Sequence, residues 1–341
     1  MRRVLIKGIN DVIVENIADP KPGSGELCIE IAYSGICGSD LHSLKGAHPF
    51  LPLPSAPGHE FTGKVIAIGK DVKGFKIGDR VTCEPNLVCG ECYNCRIGRY
   101  NICENLKTMG GQSAGAMADY FIAPAEKTIH IPDKLTLKNA VLIEPLAVGV
   151  HAVKKAGVLF GKNVVIIGAG TIGLMTLSCI IHAGADKVIV ADISNKRLAF
   201  AKKIGATQII NPVKENIAEK IISEKLFEGI DVVFDCAGNE NSMKDAIKVV
   251  RKGGKIIVIG VFESETKIKM AEVQDRELEI IGSLMYVRRD ITDSIAMITN
   301  GHLKTHLFIS KEYPLDEAKD AFMAALDTNN NLKVIFSIHS E

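Results

Sequence analysis

Val164-Val165-Ile166-Ile167-Gly168-Ala169-Gly170-Thr171-Ile172-Gly173 decides the fold of this 341-residue chain. A run of apolar residues leads into G-x-G-x-x-G, and a helical stretch, Leu174 to Ala183, follows. That strand-turn-helix setting makes the glycines informative. Gly168 permits the tight turn, Gly170 lets the backbone approach a pyrophosphate, and Gly173 lets the helix pack closely on the strand. A second apolar run, Val188 to Ala191, ends in Asp192, near the ~20-residue offset expected for the acid that binds an adenosine ribose. A carboxylate there repels a 2′-phosphate, which favours NAD over NADP, although Lys196 and Arg197 lie close by. The plain alternative is an ordinary turn with Asp192 as a helix cap.

Outward from this stretch, apolar strands alternate with helical segments from about Gly149: Asn163 to Ile167, Lys187 to Ala191, Lys196 to Ile204, Asp231 to Asp235, Met243 to Val250 and Lys255 to Ile259. The alternation predicts βαβ units and a parallel sheet. Towards the N-terminus, Leu27 to about Val81 carries short β-branched runs punctuated by Gly and Pro, the pattern of a twisted β domain. After Glu279-Ile-Ile-Gly282 the alternation stops. The tail from Asp290 reads as two amphipathic helices and a final strand, Lys333 to Ile338, which returns to the first domain.

Lys plus Arg (41) balances Asp plus Glu (40), so no global field draws nucleic acid or an anionic membrane. No run is long enough to span a bilayer, and Lys7, Gly8 and Asn10 break the N-terminal apolar stretch before signal-peptide length. These features predict a cytoplasmic protein. Of nine cysteines, Cys89, Cys92, Cys95 and Cys103 crowd together as C-x2-C-x2-C-x7-C, which in a reducing compartment points to metal. Four thiolates close a tetrahedron around Zn(II) with no place for substrate, the pattern of a structural site; an iron-sulfur cluster is the rival. Cys28, Cys83, Cys179 and Cys236 read as core residues.

A second set is dispersed: Cys37, His59 and Glu144. A Cys, a His and a carboxylate leave a fourth zinc position open for chemistry. Spacing alone makes Cys37 a buried thiol and His59 a turn residue. Glu144 is more telling, because a free carboxylate in the apolar stretch Ala140 to Ala152 is costly without a partner or a metal.

With these residues in hand, the chain resembles the zinc-dependent medium-chain alcohol dehydrogenases, and within them the sorbitol dehydrogenase-like polyol branch. Gly58-His59-Glu60-Phe61-Thr62-Gly63, running on through Gly69 to Val72, fits the family's zinc signature, and the cysteine lobe, Glu144-Pro145-Leu146 and the glycine turn fall in the family's order. The resemblance implies a GroES-like twisted β catalytic domain from residues 1–147 and 284–341, with a Rossmann-type doubly wound parallel sheet, residues 148–283, inserted between.

It further implies that Cys37, His59 and Glu144 hold a catalytic zinc, with Glu60 beside them, facing the open position or exchanging in as a ligand. About two zinc ions per chain follow. Glutamate at position 144 points to the polyol branch. Ser39 and His42 match the family's proton-relay positions, and Ile172, Asp192, Arg197, Ile259, Gly260 and Val261 match positions that touch the cofactor. The implied reaction passes hydride from a secondary hydroxyl of a polyol, aldonate or related small molecule to NAD.

Tyr286 matches a substrate position, but Ser43 and Met285 stand where sorbitol enzymes carry an aromatic residue and an arginine, which puts sorbitol itself in doubt. Arg288 and Arg289 are either solvated residues at a helix start or a grip for a substrate carboxylate. Rival readings are a threonine, butanediol or glucose dehydrogenase of the same architecture, a zinc-free reductase, and a silent NAD-binding protein. A homo-oligomer, dimer or tetramer, is implied, with Ile280 to Leu284 as a pairing strand. His48 and the histidines outside positions 42 and 59 receive no role.

Overall fold

A computed structural model of the chain describes residues 1–223 and 229–340, which form two compact units, Met1–Glu144 with Val287–Glu341, and Pro145–Tyr286.

The first unit is built on a seven-stranded sheet. Its long central strand, Glu26–Gly35, pairs antiparallel with Glu60–Ile68, with Tyr120–Pro124 and with the C-terminal strand Lys333–Ser337. The tail therefore does return to the first domain. Leu27, Ile29 and Ile31 point into a core with Phe61, Val65, Val81 and Phe121, and the intervening Cys28 and Ala32 are buried as well, so both faces of this strand are covered. In register, Gly35 lies opposite both Glu60 and Ile335, so three distant stretches of chain converge where the sheet leads into the helix Gly38–Leu44. A Cβ at Gly35 would run into the Glu60 carboxylate. Glycine here is what lets that side chain lie across the sheet end.

The second unit is a six-stranded parallel sheet whose strands, numbered along the chain within the unit, lie in the order 3-2-1-4-5-6. That is the doubly wound order, and its switch point falls between Asn163–Ile167 and Ile230–Asp235. Val165, Ile189, Val233 and Ile256 pack under Met243, Ala246 and Ile247 of the helix Glu240–Val249. The last strand, Glu279–Gly282, forms the sheet edge, where Ile280 is 36% exposed. The helix expected from Leu174 starts earlier, at Thr171, because Gly170 takes the N-cap conformation. No helix among the described residues is long and apolar enough to cross a membrane.

Candidate metal centre and dinucleotide site

Cys37 occupies the N-cap of the helix Gly38–Leu44, and Asp40 at N3 accepts the Cys37 backbone N–H at 2.8 Å. The other Asp40 oxygen lies 4.0 Å from His59 Nδ1. One carboxylate thus closes the helix start and faces the histidine. Burial lifts the Asp40 carboxyl to about 6, against the pull of His59. Ser39 and His42, one helical turn apart, are both half-buried, so they lie along one face of this short helix.

His59 immediately precedes the strand Glu60–Ile68. Ligand-type atoms of Cys37, His59 and Glu60 come within 4.8 Å of one another. Both Glu60 carboxylate oxygens stand 2.6 Å from Lys333 Nζ, which also donates to the Ile36 carbonyl at 3.0 Å. Glu60 and Lys333 are 0% and 3% exposed, making this a fully buried ion pair. Glu144, at 6% exposure in the first turn of Ile143–Ala156, acts electrostatically on both His59 and Lys333. Burial works against a charged His59, yet Cys37, Asp40 and Glu144 together raise its pKa well above the ordinary value. Groups of this kind around one point make a nest for a cation, and the S, N and O donors suit zinc.

Sequence reasoning missed Asp40 and Lys333. Asp40 carried a signal, an acid at the capping-box position after Cys37. Lys333 carried another: a lysine leading an apolar strand has to find a buried partner.

The four cysteines of the lobe also come together, with sulfur atoms within 4.8 Å. Backbone N–H groups of Cys89 and Asn105 point at the Cys103 sulfur at 3.3 Å, and that of Cys92 at the Cys89 sulfur at 3.4 Å. Donors from the backbone of Glu104 and Cys95 pull the Cys92 thiol down to about 6. A set of sulfurs this crowded, with backbone N–H groups aimed at two of them, fits a closed thiolate metal site.

In the second unit, Gly168 takes φ +99 and the helix Thr171–His182 packs so closely that a Cβ at Gly173 would strike the Gly168 carbonyl, whereas one at Gly170 would meet nothing within 4 Å. Ile172 sits in the first turn of that helix. Asp192 Oδ2 accepts the Ala169 N–H and Oδ1 the Ser194 N–H, both at 2.7 Å, with Arg197 Nη1 3.7 Å away. Asp192 therefore ties the glycine turn to the second strand. Ile259 and Gly260 both donate to the Asp235 carbonyl at 2.9 Å, which holds the Ile259-Gly260-Val261 segment at the strand ends. Val261 is 52% exposed.

Tyr286 is 0% exposed. Arg288 begins a helix of the first unit, donates its backbone N–H to the Tyr100 hydroxyl oxygen at 2.6 Å, and aims its guanidinium at Glu84 and the Glu126 carbonyl. Arg289 pairs with Asp293 one turn on. Arg288 and Arg289 thus stand at a helix start, the plainer of the two readings of the sequence. Met285 adopts φ +49, a left-handed conformation unusual for its side chain.

Residues 23–133 match the model of the alcohol dehydrogenase GroES-like domain, and residues 171–300 that of the zinc-binding dehydrogenases. The chain is 33% identical to the sorbitol dehydrogenase of Bacillus subtilis (strain 168) over 98% of its own length and 96% of the relative's. It is 34% identical to the D-arabitol-phosphate dehydrogenase of Enterococcus avium, again over 98% and 96%. Among solved structures, a zinc-binding dehydrogenase from Sinorhizobium meliloti 1021 bound to NADP superposes with a TM-score of 0.91 at 30% identity, covering 98% of each chain.

Proposed function

This chain belongs to the zinc-dependent medium-chain alcohol dehydrogenases, oxidoreductases acting on CH–OH groups, and from that membership we propose that it transfers hydride from a secondary hydroxyl of a polyol or sugar-derived substrate to NAD. The observation that carries this reading is the meeting of Cys37, His59 and Glu60 beside buried Glu144.

Cys37, His59 and Glu144 are the proposed ligands of a catalytic zinc, which supplies Lewis-acid activation of the substrate hydroxyl. Glu60 stays beside them because both its oxygens are held by Lys333. Asp40 orients the His59 ring. Ser39 contacts the substrate oxygen and passes its proton to His42, whose half-buried ring reaches water. Gly168, Gly170 and Gly173 receive the dinucleotide, and Asp192 takes the ribose and disfavours a 2′-phosphate. NAD is the proposed cofactor, although the Sinorhizobium meliloti relative holds NADP.

The two carboxylates separate cleanly by metal content. Glu144→Gln is expected to lose about one zinc per chain, while Glu60→Gln keeps it; loss from Glu60→Gln alone would reverse the two roles. The activity itself is tested on zinc-loaded protein with polyols, aldonates, vicinal diols, aldoses and threonine, using NAD and NADP in parallel. Turnover of a polyol with NAD, abolished by chelation and restored by zinc, supports the proposal. Turnover confined to threonine or aldoses, or to none of the panel, overturns it.

A further inference from the structure

The helix that carries Cys37, Ser39 and His42 ends abruptly. Gly46 takes φ +67, its N–H returns to the Ser43 carbonyl, and the Ala47 N–H returns to the His42 carbonyl, each at 2.9 Å. The chain therefore leaves the helix directly beside His42, and His48 is the first side chain after that turn able to form hydrogen bonds. Phe50 N–H donates to His48 Nδ1 at 3.2 Å. Since Nδ1 accepts, the proton of the neutral ring sits on Nε2. That N–H has no partner among the described residues.

The segment is held in place. Gln112 Nε2 donates to the Phe50 carbonyl at 3.1 Å, while its Oε1 accepts the Thr108 N–H at 2.9 Å. Phe50 stands edge-on to His48, with ring centroids 6.3 Å apart, and is 74% exposed. Burial first, then the neighbouring His42 and His59, hold the His48 pKa below its ordinary value, which keeps the ring neutral. Glu60, Asp40 and Lys333 wall off the buried side of the cluster at 0%, 1% and 3% exposure. His42 and His59 both act on His48, so its ring is a neighbour of the cluster.

We propose that His48 is a specificity residue whose Nε2–H donates to a hydroxyl oxygen next to the carbinol being oxidised, with Phe50 lying along the substrate's carbon chain. The proposal rests on the dehydrogenase reading above. A neutral donor fits a neutral vicinal hydroxyl, and a site built to bond that hydroxyl discriminates against the analogue without it.

The test compares butane-2,3-diol and a hexitol with butan-2-ol on zinc-loaded enzyme with NAD, in the wild type, His48→Ala and His48→Gln, with zinc content measured for each. His48→Ala is expected to lower kcat/KM about tenfold on the diol and hexitol. Butan-2-ol should change less than about twofold, and His48→Gln, which keeps an N–H donor, should recover most of the loss. Equal losses on diol and mono-alcohol, or no loss on either, overturn the role of His48 while leaving the dehydrogenase reading intact. Absence of turnover by the wild type on all three substrates removes both.

Discussion

Replacing Lys333 with methionine is expected to be the most damaging single change outside the metal ligands. The ammonium is 3% exposed and holds a carboxylate that is 0% exposed, with both oxygens at 2.6 Å. Burial alone would depress a lysine's pKa, but Glu60, then Cys37 and Glu144, raise it instead, so the lysine stays charged. Removing one member leaves Glu60 buried beside Cys37 and Asp40 with no counter-charge. Breaking such a pair costs about 3–5 kcal/mol, which for a unit of this size lowers the melting temperature by roughly 10 °C. Lys333→Arg should hold most of the stability. The double change Lys333→Met with Glu60→Gln should recover more than half of the loss, since it removes both charges. Thermal melts of the four proteins decide it: a double variant no better than Lys333→Met would mean that the lysine acts by packing, not by charge.

That pair also marks the limit of what the sequence discloses. The glycine turn was legible because its parts are neighbours: an apolar strand, three glycines and a helix lie within a few residues, and Asp192 ends the next strand. The zinc lobe was legible for the same reason. Lys333 and Glu60 are 273 residues apart, and only the antiparallel register of Lys333–Ser337 on Glu26–Gly35 brings them together. His48 was passed over because its meaning lies in a tautomer fixed by the backbone two residues on. The strands Gln208–Ile210 and Ile309–Tyr313 are too short to show a period, and Ser310, Lys311 and Glu312 supply no apolar alternation in the second.

Cys95→Ser in the lobe is expected to lower bound zinc from about two to about one per chain and to loosen a helix far away in sequence. Between Val88 and Leu106 only Asn101 and Cys103 are buried, so this segment has no apolar core of its own. The sulfur cluster stands in for that core, and loss of a structural metal belongs to the class of changes that cost more than about 4 kcal/mol. Tyr100, inside the lobe, carries the effect outward. Its hydroxyl, pushed up to about 12 by burial and by nearby Glu84, stays protonated and accepts the N–H of Arg288 at 2.6 Å, the first residue of the helix Arg288–Thr299. A side chain of the lobe thus satisfies one of the open donors at a helix start 188 residues away. Cys37→Ser should remove the other zinc with turnover lost, yet leave this helix and the lobe intact. Hydrogen exchange reads the difference: faster exchange at Arg288 in Cys95→Ser and not in Cys37→Ser is the expected pattern. Unchanged protection at Arg288 in a lobe stripped of zinc would show that Glu84 and Glu126 hold the helix start without help from the metal.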